Sequence, residues 1–216
     1  MDTIKIDWKV FLGSLAVIGV TELLAGYAGQ VFSGTHPLWL VGGARVVEIG
    51  LILLIAAFPG KGVSSIGLGS NRLWSGFKRG LLWSAGFGVA AALAGGAIFF
   101  AGKNPLTWFS SRLPGDLNSL ILFFVVGGVV GPLAEEVFFR GICYGFFRRW
   151  GIMAALILTT LLFVSAHALK TGVPFIQIIG GVVFALAYEF EKNLMVPIVI
   201  HILGNLALFT LCCLAW

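Results

Sequence analysis

The chain has 216 residues, of which 59% are apolar, 13% aromatic and only 11% charged, and its mean hydropathy is +1.02. A soluble domain clothes its surface with charges at about a quarter of its positions, so this composition excludes a water-soluble globular protein, a disordered chain and a collagen. The net charge of +5 does not point to nucleic acid, because the basic residues cluster in short breaks between apolar runs, where they set membrane topology.

In chain order, apolar runs near the length that crosses a bilayer lie at roughly 10–32, 38–58, 80–101, 117–138, 151–169, 174–190 and 194–216. They predict an all-α, polytopic transmembrane helical bundle of about seven spans, forming a single integral membrane domain over 1–216. The first run carries Glu22, is too long for a signal h-region and lacks a small-residue cleavage site, so it reads as a retained span. Glycines inside the runs (Gly86, Gly88, Gly95, Gly96, Gly127, Gly128, Gly180, Gly181) suit helices that approach closely in lipid. The breaks 59–79 and 102–116 are turn-rich connectors. Cys143, Cys212 and Cys213 show neither a metal-ligand spacing nor a secreted disulfide pattern.

Seven spans put Lys5, Lys9, Lys61, Arg72, Lys78, Arg79, Arg140, Arg148, Arg149 and Lys192 on one side, against Lys103, Arg112 and Lys170 on the other. Cytoplasmic loops accumulate Lys and Arg, so the N-terminus is expected in the cytoplasm, with the protein in the plasma (inner) membrane of a prokaryote.

An ionisable side chain inside an apolar span costs about 2.5 to 3.5 kcal/mol on insertion scales, so those that persist face a partner or a wet cavity. Arg45 and Glu48, at i and i+3, read as a structural ion pair, with Glu22 able to join Arg45 from the neighbouring helix. His36, just before Pro37, reads as a solvated loop residue.

The second half is richer: Glu135, Glu136 and Arg140 in one run, then His167, then His201 with Asn205. Consecutive glutamates point about 100° apart on a helix and cannot share one role. Glu136 and Arg140 are spaced i, i+4 for an ion pair, which leaves Glu135 without a local counter-ion and makes it the general-base candidate. A structural reading stands beside this one, in which Arg140 satisfies both glutamates and all three merely join helices. A hairpin closing at Arg148–Gly151 would put Glu135 and His167 at nearly equal height, about 22 to 24 Å from the turn at 1.5 Å per residue. His201, about 13 Å from its own turn, would share that level if the first hairpin projected roughly 10 Å into the aqueous layer, as the charges of Arg140, Arg148 and Arg149 suggest. A carboxylate, two imidazoles and an amide converging in a bundle core would make a hydrolytic constellation.

These residues resemble the CPBP intramembrane proteases, which include CAAX-processing endopeptidases and bacteriocin-processing or immunity proteins. The family's EExxxR, FxxxH and HxxxN patterns read here as Glu135-Glu136-Val-Phe-Phe-Arg140, Phe163-Val-Ser-Ala-His167 and His201-Ile-Leu-Gly-Asn205. The resemblance covers roughly 131–206 and implies a catalytic core over 117–206. It further implies hydrolysis of a peptide bond in a membrane-associated protein or peptide substrate within the lipid bilayer. In that scheme Glu135 and His167 activate water, and His201 with Asn205 form an oxyanion hole. Glu136, Arg140 and Phe163 support them. A glutamate-type mechanism without cofactor is the expectation; the alternative is a zinc site on Glu135, His167 and His201. Rival functions for the same residues are a proton-coupled transporter and a non-catalytic scaffold or immunity factor.

Overall fold

The computed structural model describes residues 6–58, 62–104, 113–167 and 175–214. Lys5, Lys61, Arg112 and Lys170 of the charge comparison, and the ends of the expected spans near 168–174 and 215–216, lie outside them.

Seven helical elements follow one another, and no strand occurs among the described residues: α1 (Trp8–Val31), α2 (Pro37–Ala57), α3 (Leu73–Phe100), α4 (Leu117–Trp150), α5 (Ile152–His167), α6 (Phe175–Glu191) and α7 (Met195–Leu214). Caps begin three of them: Asp7 accepts from the Lys9 amide, Asp116 from that of Ser119, and His36 from that of Leu38 at the start of α2. His36 also meets Ser119 at 3.2 Å, so it ties α2 to α4 while remaining exposed. Among the described residues five helices are long and apolar enough to cross a membrane, while α5 and α6 have 16 and 17 described residues. Large apolar side chains such as Leu23, Leu54, Leu82, Leu93 and Leu214 are each more than three-fifths exposed. Apolar surface outside and ionisable groups inside are what a bilayer demands, and the protein is an integral membrane helical bundle.

Two elements start or end differently from the sequence expectation. Helix α3 begins at Leu73 rather than near 80, because the polar stretch before it folds into short 3-10 turns, Gly62–Ile66 and Ser70–Arg72. Helix α4 runs on past 138 to Trp150, and Arg140 lies inside it with no exposure. Arg140 is therefore not one of the loop charges counted for topology, nor does it help a hairpin project into water. The hairpin itself closes as expected, with Gly151 at φ +103°, a conformation that glycine adopts without a Cβ clash.

Helix α4 is the core of the bundle, and every residue from Val137 to Tyr144 is buried. It is not a uniform α-helix: Val126–Val130 and Val137–Tyr144 are wide π-helical turns around a short α segment, Gly131–Glu136. Small residues bring its neighbours close. A Cβ on Gly42 of α2 would stand 2.9 Å from Val126, and one on Gly128 would stand 2.6 Å from Leu206 of α7. Helix α3 packs on α7 in the same way, a Cβ at Gly80 falling 2.6 Å from Val199. Asn193 and Leu194 of the α6–α7 turn are buried, Leu194 fully; its amide donates to the Gly67 carbonyl, and the Tyr188 hydroxyl donates to that of Ile66. These bonds set the depth from which α7 starts.

Candidate active site

The first wide turn of α4 has a local cause. Pro132 carries no N–H, and the Gly131 amide donates five residues back, to the Val126 carbonyl. The Gly127 carbonyl thereby loses its usual helical donor, and Pro132 cannot replace it. The Asn205 side chain of α7 fills that place, Nδ2 donating to the Gly127 oxygen at 2.9 Å. One N–H of the carboxamide is thus committed to the backbone and the second is left over.

The two glutamates diverge as expected of neighbours on a helix. Glu136 is wholly buried, and its Oε1 accepts from Arg140 Nη1 at 2.8 Å and from His201 Nδ1 at 2.7 Å. Arg140 donates through Nη2 to the Gly181 carbonyl of α6 at 3.3 Å. Its guanidinium carbon lies 4.6 Å from the ring centre of Phe163 and 5.1 Å from that of Phe184, within cation–π range of both. An Arg without exposure in a greasy core is thereby neutralised by one carboxylate and clothed by two aromatic faces.

Glu135 turns the other way, toward the partly open side, with a quarter of its side chain exposed. Its Oε2 lies 3.7 Å from His167 Nε2 and 3.8 Å from His201 Nε2, and has no hydrogen-bond partner. Both imidazoles present the same nitrogen to it, for a reason visible in their other contacts. His167 Nδ1 is 2.8 Å from the Phe163 carbonyl, and His201 Nδ1 is bound to the Glu136 carboxylate. Each of these oxygens accepts, so Nδ1 carries the proton in both rings and Nε2 faces Glu135. Phe163 packs on His167 with ring centres 4.7 Å apart.

Glu135, His167 and His201 therefore meet in one place, with Glu136, Arg140 and Phe163 directly behind them. Asn205 is tied to Gly127 one turn along α7. Sequence reasoning missed what α6 contributes: the Gly181 carbonyl, and Phe184, whose ring stacks on His201 at 4.5 Å. Neither belongs to a polar motif, and the only signal was the Gly180-Gly181 pair three residues before an aromatic. Among the described residues no set of three or more His, Cys, Asp or Glu side chains is arranged to hold a metal ion.

In the first half of the chain, Arg45 binds both Glu22 of α1 and Glu48 of its own helix, and Glu48 also accepts from Thr21 at 2.7 Å. This cluster joins α1 to α2.

Residues 117–207 match the family model described as type II CAAX prenyl endopeptidase Rce1-like. The chain is 39% identical over 93 residues to the membrane-embedded CAAX protease MroQ of Staphylococcus aureus, covering 40% of this chain and 36% of that protein. It is 30% identical over 91 residues to the putative membrane peptidase YdiL of Bacillus subtilis, covering 41% and 36%. An uncharacterized 24.3 kDa protein of Escherichia coli is 28% identical over 132 residues, covering 56% and 59%. The chain thus spans less than two thirds of the length of each of these relatives. No solved structure matches. These matches bear out the resemblance to the CPBP intramembrane proteases.

Proposed function

We propose, on the premise that residues 117–207 belong to the CPBP family of intramembrane proteases, that the protein is an endopeptidase hydrolysing a peptide bond of a membrane-associated protein or peptide. The observation that carries this reading is the convergence of two imidazole Nε2 atoms on one unpartnered carboxylate oxygen, that of Glu135, at 3.7 and 3.8 Å. Those separations are too long for direct hydrogen bonds and suit a shared water.

In the proposed reaction Glu135 takes a proton from that water as its oxygen bonds to the scissile carbonyl carbon. The bare Nε2 of His167 accepts the second water hydrogen and aims the nucleophile. The carbonyl π pair moves onto oxygen, and the developing oxyanion needs donors. His201 already donates its Nδ1 hydrogen bond to Glu136, so it can donate from Nε2 only as an imidazolium, whose charge the oxyanion itself balances, Glu136 being already paired with Arg140. The second N–H of Asn205 is the other donor. Collapse of the intermediate breaks the C–N bond, and protonated Glu135 returns its proton to the leaving amine. Arg140 holds Glu136 in its anionic, hydrogen-bonded place. No step passes through a metal.

The remaining parts of the reading are a catalytic core over 117–206, a prokaryotic plasma membrane and a cytoplasmic N-terminus. They rest on the motif positions, the bacterial relatives and the Lys and Arg distribution. The test uses purified full chain and an internally quenched peptide ending in a prenylated Cys-aliphatic-aliphatic-X sequence, with its unprenylated twin. Mass spectrometry of membrane-protein termini in cells with and without the active protein supplements it. Cleavage of either peptide that disappears in Glu135→Gln at equal folded abundance supports the proposal. Termini and peptides indifferent to Glu135 would leave a scaffold or transporter as the better account.

A further inference from the structure

We infer that Phe184, on α6 and outside the three motifs, is a positioning residue that aims the His201 imidazole at Glu135; the inference rests on the proposed protease reading for its kinetic part only. The hydrogen bond from Nδ1 to Glu136 restrains the ring at one atom, and rotation about the Cβ–Cγ bond within the angular tolerance of that contact still shifts Nε2. The Phe184 ring closes off the swing: it lies nearly parallel to the imidazole, with centres 4.5 Å apart and planes 25° apart. Phe163 meets the same imidazole edge-on at 5.9 Å and 72°. A ring pinned on its face by one aromatic and flanked by another has one orientation of Nε2, and that orientation faces the Glu135 oxygen.

Phe184 also covers the guanidinium of Arg140 at 5.1 Å, so one side chain sets both partners of Glu136. The groups facing His201 are Glu135, Glu136 and Arg140 from α4 and His167 from α5. Gly180 makes the room for this ring: a Cβ there would stand 3.2 Å from Phe184 Cε2, so an alanine would crowd the ring without removing it.

The experiment compares Phe184→Leu, Phe184→Tyr and Gly180→Ala in the purified full chain, measuring kcat and KM on the prenylated quenched peptide together with the 15N imidazole spectrum of His201, assigned by His201→Gln. Phe184→Leu is expected to lower kcat about ten-fold with KM unchanged, since aim rather than substrate binding is lost. Phe184→Tyr should restore kcat, and Gly180→Ala should lower it in the same direction. The His201 spectrum should change from a single protonation pattern to a mixture in the leucine variant. A merely structural Phe184 would reduce folded yield while leaving kcat per folded molecule and the His201 spectrum unaltered, and that result overturns the inference. Should Phe184→Leu fail to fold, Gly180→Ala carries the same two readouts. If the wild type cleaves nothing, the protease reading fails, and the His201 spectrum alone still decides whether Phe184 positions the ring.

Discussion

His201 reaches past the partly buried Glu135 to bind the fully buried Glu136, Nδ1 to Oε1 at 2.7 Å. The two adjacent carboxylates should therefore respond unequally to neutralisation. Glu136→Gln strips the charge that balances the buried Arg140, and breaking a buried pair of this kind costs about 3 to 5 kcal/mol. Glu135→Gln removes no hydrogen bond from its Oε2 and should stay within about 1 kcal/mol of wild type. Denaturation of the two variants in detergent micelles checks this. Equal destabilisation would mean that Glu135 too is a structural anchor, and the division of labour between them would fall.

Pro132 and Asn205 form a second linked pair, because the missing amide of one creates the acceptor satisfied by the other. Pro132→Ala supplies an N–H on the turn that frees the Gly127 carbonyl, and alanine is about 3 kcal/mol better than proline inside a helix. The variant should be at least as stable as wild type yet cleave more slowly, since a regular helix would rotate Glu135 away from the imidazoles. Asn205→Asp places an acceptor against the Gly127 oxygen and should cost about 1 to 3 kcal/mol. Thermal melting with peptide cleavage measures both. Full activity in Pro132→Ala would show that the wide turn does not set the site.

How far the sequence foretold this arrangement can be followed residue by residue. The spans were legible because lipid forces apolar runs of fixed length, and the hairpin at Gly151 because a glycine after two arginines and a tryptophan marks a turn. The meeting of Glu135 with His167 followed from equal counts to that turn. Arg140 was misread as a loop charge, although the count of helical rise to Gly151 already carried α4 past it, because nothing in a linear reading shows that Phe163 and Phe184 come together to shelter a cation. The wide turns were invisible because a π-helical segment depends on which amide chooses which carbonyl, and only the Gly131-Pro132 pair hinted at it. Asn205 was assigned to the oxyanion by resemblance, while its bond to Gly127 depends on a carbonyl that becomes free only in three dimensions.

Treatment with a chelator addresses the proposed metal-free chemistry. Glu135 is held near two Nε2 atoms at 3.7 and 3.8 Å, spacings proposed here to hold water. Cleavage of the prenylated peptide should survive extensive dialysis against EDTA and 1,10-phenanthroline, and should not rise when zinc is added back. Complete loss that zinc reverses would require reassigning Glu135, His167 and His201 as ligands.

Membrane orientation is open to a labelling experiment. Arg149 donates to the Ile6 carbonyl at 2.7 Å and Arg72 to those of Glu191 and Lys192. The beginning of α1, the connector before α3, the end of α4 and the α6–α7 turn thus gather at one end of the bundle. With Lys9, Lys78, Arg79 and Arg148 nearby in sequence, that end holds most of the positive charge even after Arg140 is withdrawn, so it is expected to face the cytoplasm. Asn71 is exposed there and offers a site for a single reporter thiol. In a background lacking Cys143, Cys212 and Cys213, Asn71→Cys should resist a membrane-impermeant maleimide in intact cells and react once the membrane is broken. Reaction in intact cells would invert the topology.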